Sequence, residues 1–291
     1  MKKLVGLLAL AAAGTACQPQ ASTTQAAAAT AAPVSPVVLK TTQPAARPAS
    51  PELTPAMREL LGRYDLSPLL GIETSPEGGE PNAHVSNGFF GPEHRRIEVV
   101  FTEVRRDEKQ PNLYYLKGKD RYRGVITPFA GVLTLTRVAD QPKLTKAQLA
   151  AMEYEAPDNI NEGYFYTAVG NFELKEDPTR KHAGVYRGQA FIDWGLEEGK
   201  LRQLSRSEFT QTQGGGVKFA GTWTEYGAPL AKSVVWVQNI FSYTEAEHLL
   251  KNFMIGERDV EFNPKYAKLG WNNYWSNDEW WADSPKPTAS L

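Results

Sequence analysis

A short motif recurring along the middle of the chain does most to narrow its possible folds. It reads aromatic residue, any residue, glycine, any residue, apolar residue, and stands at Tyr122-Gly124-Ile126, Phe129-Gly131-Leu133, Tyr186-Gly188-Ala190 and Phe219-Gly221-Trp223. Alternate residues of a β-strand share one face, so each copy sets a ring, a gap and an apolar side chain in a row. Glycine inside a strand gives up side-chain packing, and its repetition needs a physical use. Sharp coiling or a bulge is such a use, with the neighbouring ring covering the exposed backbone. Residues between and beside the motif positions are often polar, as with Arg187 and Gln189 or Lys218, Thr222 and Thr224. Together these features predict an antiparallel meander that curls or closes.

Strand signals surround the motif. Ile97, Val99 and Phe101 alternate with Glu98 and Thr102, and further candidates cover 112–119, 121–127, 129–138, 163–175, 184–194, 200–211, 217–226 and 232–238. Gly195 to Gly199 and Gly214-Gly215-Gly216 read as turns, and Pro128 argues against one continuous strand over 122–138. Helical periodicity is confined to three places. Thr54-Pro55 predicts an N-cap and first helical residue, with Met57, Leu60 and Leu61 on one face and Gly62 as a stop. Thr145 and Gln148 form a capping box for a helix over 144–155, while Thr244 and Glu247 suggest another short one. The expected fold class is mainly β: an antiparallel meander closing as a barrel, or a sandwich, with one or two short helices.

The N-terminus carries an address. Lys2 and Lys3 precede an apolar run over 4–13, and Gly14-Thr15-Ala16-Cys17 follows. Some ten apolar residues are too few to span a bilayer, so a cleaved export signal is expected over 1–16. The single cysteine rules out an internal disulfide framework and a thiolate-rich metal site. Its position after small residues resembles a bacterial lipoprotein signal, although Gly14 stands where such signals usually carry an aliphatic residue. The resemblance implies lipidation of Cys17, the membrane as partner through that anchor, and outer-membrane localisation from Gln18 in the next position. Residues 18–51 hold Lys40 and Arg47 as their only charges among Ala, Thr, Pro, Ser and Gln, so 17–52 reads as a lipidated cysteine and tether. Residues 53–291 are then one β-rich domain with an aromatic-rich tail.

The lipidation signal, polar tether and Gly/aromatic meander resemble lipocalin-like (calycin-like) lipoproteins of bacterial envelopes. Gly221-Thr222-Trp223 matches the lipocalin Gly-x-Trp, which lipocalins carry on their first strand and this chain carries late. No family binding residue is carried over. The resemblance implies a non-enzymatic binding module for a small apolar or carbohydrate ligand.

Chemical motifs are sparse. Lys+Arg 32 against Asp+Glu 33 gives a net charge of -1 and no reason to expect nucleic acid as partner. There is no Gly-x-Ser-x-Gly elbow, P-loop or dinucleotide fingerprint, and no cofactor is expected. His84, His94, His182 and His248 lack the spacing of a zinc motif, so no metal is expected. Glu162, Glu173, Asp193 and Glu225 could supply paired carboxylates for glycoside hydrolysis, Asp193 being the first to inspect because it lies between Ile192 and Trp194. Arg95-Arg96 and Arg105-Arg106 read as solvated faces neutralised by nearby acids. In the tail, Trp271, Trp275, Trp280 and Trp281 stand among Asn and acidic residues. Such rings could stack on sugars or fold back to cover a barrel end or sheet edge, and closure is the preferred reading. The candidate ligand-binding residues are Tyr186, Phe219, Trp223, Asp193, Trp271 and Trp275. A carbohydrate-active hydrolase and a structural or assembly component of the envelope are the alternatives.

Overall fold

The computed structural model describes residues 53–73, 82–141, 147, 164–197, 199–204, 216–255, 261–275 and 278–283. The expected export signal, Cys17 and the tether lie outside these residues, as does the helix expected over 144–155 apart from Ala147.

Nine antiparallel strands dominate: β1 (Ser86–Phe90), β2 (Arg95–Arg106), β3 (Leu113–Tyr122), β4 (Val125–Asp140), β5 (Tyr164–Glu176), β6 (Gly184–Glu197), β7 (Lys200–Gln203), β8 (Val217–Glu225) and β9 (Ala231–Val237). Consecutive strands pair from β1 through β6. β6 then pairs with β8, β8 with β9, and β9 returns to β1. Eight strands therefore form a closed ring of hydrogen bonds, and β7 extends only the far end of β6. Closure leaves the ring without an open edge.

Alternation decides what fills the ring. Phe90, Ile97, Val99, Phe101, Tyr114, Leu116, Phe129, Leu133, Phe172, Leu174, Tyr186, Ala190, Phe219, Trp223, Val234 and Trp236 belong to one buried cluster. Phe219 stacks on Trp236 at 5.3 Å between centroids, and Phe101 and Phe172 meet Phe219 at 5.1 and 5.0 Å. This aromatic plug occupies the middle of the barrel.

Two strand motif glycines explain how the wall bends tightly around so small a core. Gly188 and Gly221 face each other across β6 and β8. A methyl on Gly221 would meet the Arg187 carbonyl oxygen and lie 2.6 Å from Gly188 Cα, both of them backbone. The Gly221→Ala variant is expected to lose about 1–3 kcal/mol of stability through this overpacking, read as a lowered urea midpoint. An unchanged midpoint would refute the close-approach account.

The structure corrects the sequence reading at the other end of the motif. Gly124 is not inside a strand: Arg123 and Gly124 have φ values of 54° and 77° and form the two-residue turn between β3 and β4. Conversely, β4 passes through Pro128 without a break. The Pro128 carbonyl accepts from the Asp177 N–H at 3.0 Å, beyond the end of β5. A residue's N and C=O point to the same side of an antiparallel strand, so the missing N–H falls where the β5 ladder has already ended. Gly195 likewise lies within β6 rather than in a turn.

The two barrel ends differ. Helix α1 (Pro55–Arg63) starts at Thr54, whose Oγ1 accepts from the Met57 N–H, and continues one residue past Gly62. It brings Leu61 onto the end where β2 gives way to β3 and where Tyr64 meets Trp194 of β6, followed by Leu66, Leu69 and Leu70. Arg106 donates to the Leu61 carbonyl at 2.7 Å, the Leu66 N–H to Tyr114 Oη at 3.3 Å, and Gln238 to the Leu69 carbonyl at 2.8 Å. Burial there pushes the Tyr114 hydroxyl up to about 12. The opposite, hairpin end carries the two-residue β3–β4 turn and the longer β1–β2, β5–β6 and β8–β9 connections.

After β9 the chain forms a second layer on the outer wall. Helix α2 (Thr244–Leu250), a 3₁₀ turn over Pro264–Leu269 and another over Trp271–Asn273 enclose Ile240, Ala246, Leu250, Phe253, Phe262 and Trp271 against Phe89. Adjacent residues of β1 thus serve different cores, with Phe90 inside the barrel and Phe89 beneath the tail.

Candidate functional site

Tyr186 and Trp223 come together inside the hairpin end of the barrel, around two carboxyl groups that sequence reasoning missed. The Glu176 carboxylate accepts from the Trp223 indole N–H at 2.8 Å, from the Gly184 N–H and from the Tyr186 hydroxyl at 3.4 Å. The Tyr226 hydroxyl donates to the Glu176 backbone carbonyl at 2.9 Å. Asp120 reaches the same place from β3 and is only 1% exposed. Burial, and then the adjacent Glu176 carboxyl, push Asp120 well above the ordinary carboxylate range. Two carboxyls in contact away from water cannot both ionise cheaply, which favours the neutral form of Asp120. Its Oδ2 has no hydrogen-bond partner. Burial and the same two acids raise Tyr186. Above the pair, Phe90 packs on Tyr122 at 4.4 Å and on Trp223 at 5.4 Å, with Lys232 over Trp223 at 5.0 Å.

The other sequence candidates lie apart from this group. Phe219 is fully buried in the aromatic plug. Asp193 is fully buried too, on the wall face opposite Ile192 and Trp194 and near the helical end. It accepts from Thr167 Oγ1 at 2.6 Å and Gln141 Nε2 at 2.8 Å. Glu173 pairs with Arg187 and Lys175, which together hold it below the usual carboxylate range, and Glu225 contacts His182 at 2.8 Å. Glu162 lies outside the described residues. Among the described residues no three His, Cys, Asp or Glu side chains gather as a metal site.

The tail residues divide. Trp271 is fully buried and donates through its indole N–H to the His94 carbonyl at 2.9 Å, whereas Trp275 is 62% exposed and stacks on Phe241 at 6.0 Å. The tail therefore covers the outer wall over β1 to β3 instead of an end of the barrel.

Where the tail meets the wall, a charged network replaces apolar packing. Arg96 and Glu98 are 7% and 6% exposed, so the expected solvated face at Arg95-Arg96 is corrected: a layer formed late in the chain covers it. Arg121 grips Glu98 with two hydrogen bonds, at 2.6 and 2.8 Å, and donates a third to Asp278. Arg96 donates to Glu98 and to Asn87 Oδ1, each at 2.8 Å, and lies 5.3 Å from the Tyr274 ring. Burial lowers the Arg96 guanidinium from its ordinary value, against the opposing pull of Glu98. Arg121 lies over Trp280 at 5.0 Å, and Lys119 donates to the Trp281 carbonyl at 2.8 Å.

Beside this network runs an open cleft of about 560 Å³. The wall supplies Arg95, Arg96, Glu98, Arg121 and Arg123, and the tail supplies Lys268, Gly270, Asn273 and Asp278. Arg95 forms part of its side by donating to the Lys268 carbonyl and to Glu93.

Fold and site define a closed, eight-stranded antiparallel barrel, plugged by aromatic side chains and carrying a cleft between its wall and a C-terminal layer. No family model, curated protein or solved structure matches the chain.

Proposed function

We propose that the protein is a lipid-anchored cell-envelope protein that acts by binding a carbohydrate rather than by chemical turnover. The observation that carries this reading is the aromatic plug: with Phe101, Phe172, Phe219 and Trp236 packed together mid-barrel, the outer cleft is the place for a ligand to dock. The carboxylates lining that cleft are already committed, Glu98 to Arg96 and Arg121, and Asp278 to Arg121. Groups held so firmly suit a rigid binding surface better than proton transfer. The anchor rests on Cys17 and the apolar run before it. Two acyl chains at that cysteine would suffice for stable attachment.

Metabolic labelling with a fatty-acid analogue in a bacterial host tests the anchor. The wild-type chain is expected to take up label and sediment with the outer membrane, and the Cys17→Ala variant to lose both. An unlabelled wild-type chain removes the anchor, and glycan turnover abolished by Asp278→Asn removes the non-enzymatic reading.

A further inference from the structure

We infer that the cleft between the barrel wall and the tail binds an acidic glycan, a sugar chain bearing carboxylates. This rests on the reading of the protein as a binding module and names the class of ligand. Five cationic side chains line the cleft, Arg95, Arg96, Arg121, Arg123 and Lys268, against the two carboxylates of Glu98 and Asp278. In a chain of net charge -1, that excess is a local concentration of positive charge able to draw in an anion.

Arg95 is paired with Glu93 at 2.6 Å, and the other four cations fall into two groups. Arg96 and Arg121 form a fixed floor, held by Glu98, Asn87 and Asp278. Arg123 and Lys268 are exposed on opposite lips, and neither forms an ion pair among the described residues. Arg123 sits in the tight β3–β4 turn, and Lys268 in the last turn of the Pro264–Leu269 helix, which the left-handed Gly270 ends. Both backbones are therefore set before a ligand arrives, which reduces the ordering cost of binding.

The neighbouring groups favour a sugar as the scaffold for the charge. Asn273 adds a side-chain amide to the cleft, suited to hydroxyls, and Trp275, two residues further on, presents a flat exposed face. Carboxylate is the matching anion, because a guanidinium of this wall already takes one in two-pronged fashion, Arg121 with Glu98.

Titration calorimetry on the full-length Cys17→Ala chain tests the inference, using trigalacturonate, a neutral galactose trisaccharide, and phosphatidylcholine vesicles containing phosphatidylglycerol. Trigalacturonate is expected to bind saturably, more weakly as salt rises, and the neutral sugar to bind at least about tenfold more weakly. Arg123→Glu and Lys268→Glu should each weaken trigalacturonate about tenfold without moving the thermal midpoint, since both side chains are exposed. Equal binding of the two sugars, unchanged in both variants, would overturn the acidic-glycan inference and leave the carbohydrate-binding proposal standing. Silence from both sugars would overturn the inference as well. So would vesicle binding that these variants abolish, which would assign the cleft to an anionic lipid headgroup.

Discussion

Replacing Arg121 with Met is expected to cost about 3–5 kcal/mol of folding stability and to loosen the C-terminal layer from the barrel wall. The magnitude follows from what the substitution strands. Arg121 supplies two of the hydrogen bonds to the buried Glu98 and one to Asp278, and it carries the Trp280 ring. Without it Glu98 keeps only Arg96, and a buried carboxylate loses most of the partners that offset its removal from water. Asp278→Asn removes only the outer arm, at a partly exposed position, and should cost about 1 kcal/mol. Chemical denaturation supplies the energies, and limited proteolysis shows whether cleavage now begins in the tail. A variant with the wild-type midpoint and a still-protected tail would show that the clamp contributes little.

The second large effect concerns the carboxyl pair inside the hairpin end. Glu176→Ala leaves the Trp223 indole N–H and the Gly184 N–H without their acceptor, and should cost about 3–5 kcal/mol. Asp120→Asn should act in the opposite direction, and through pH. The folded state raises the pKa of Asp120, so it favours the neutral acid. The stability this group provides is fully present below its unfolded pKa of about 3.9 and is lost as pH rises through the folded value. Within that window each pH unit removes about 1.4 kcal/mol. An amide at this position cannot ionise, so the variant should lose less stability than the wild type between acid and neutral pH. Unfolding midpoints measured across that range decide the matter. Parallel curves for the two proteins would mean that Asp120 does not hold a proton in the native barrel.

Most strands were legible because they carry their own alternation, but β1 was not: its five residues are all buried, it shows no alternation, and the sequence places 75–91 in a loop. The ring closure extends what the glycine motif implied. Asp120 shows a signal that could have been read. It stands in phase with Tyr114, Leu116 and Gly118 on the inward face of β3, where an acid conflicts with its neighbours. The expected strands over 112–119 and 121–127 leave Asp120 in a break between them, whereas a single strand, β3, runs through it and sets it inside. Arg96 and Glu98 offered no comparable signal. Their burial comes from residues 267–274 and 278–280, far along the chain, and local sequence cannot report a cover supplied from so far away. The tail itself was half-legible: its aromatic content announced packing, but the surface it packs on depends on the completed barrel. Pro128 misled because its effect depends on where the neighbouring strand stops, which is a property of register and not of composition.

The pairing of β1 with β9 bears on the order in which the molecule assembles. Every hairpin from β1 to β6 can form from neighbouring segments as they emerge, at modest loop-closure cost. The ring itself cannot shut until residues 231–237 exist to meet 86–90, and the outer layer needs the finished wall beneath it. A partly synthesised chain is thus held back from the native state, with an incomplete curl of hairpins exposing both β1 and the inward aromatic face. Such long-range pairing slows folding. The last fifth of the chain, from β9 onward, therefore acts as a latch, and truncation before β9 should leave a molecule rich in strands but without a closed core.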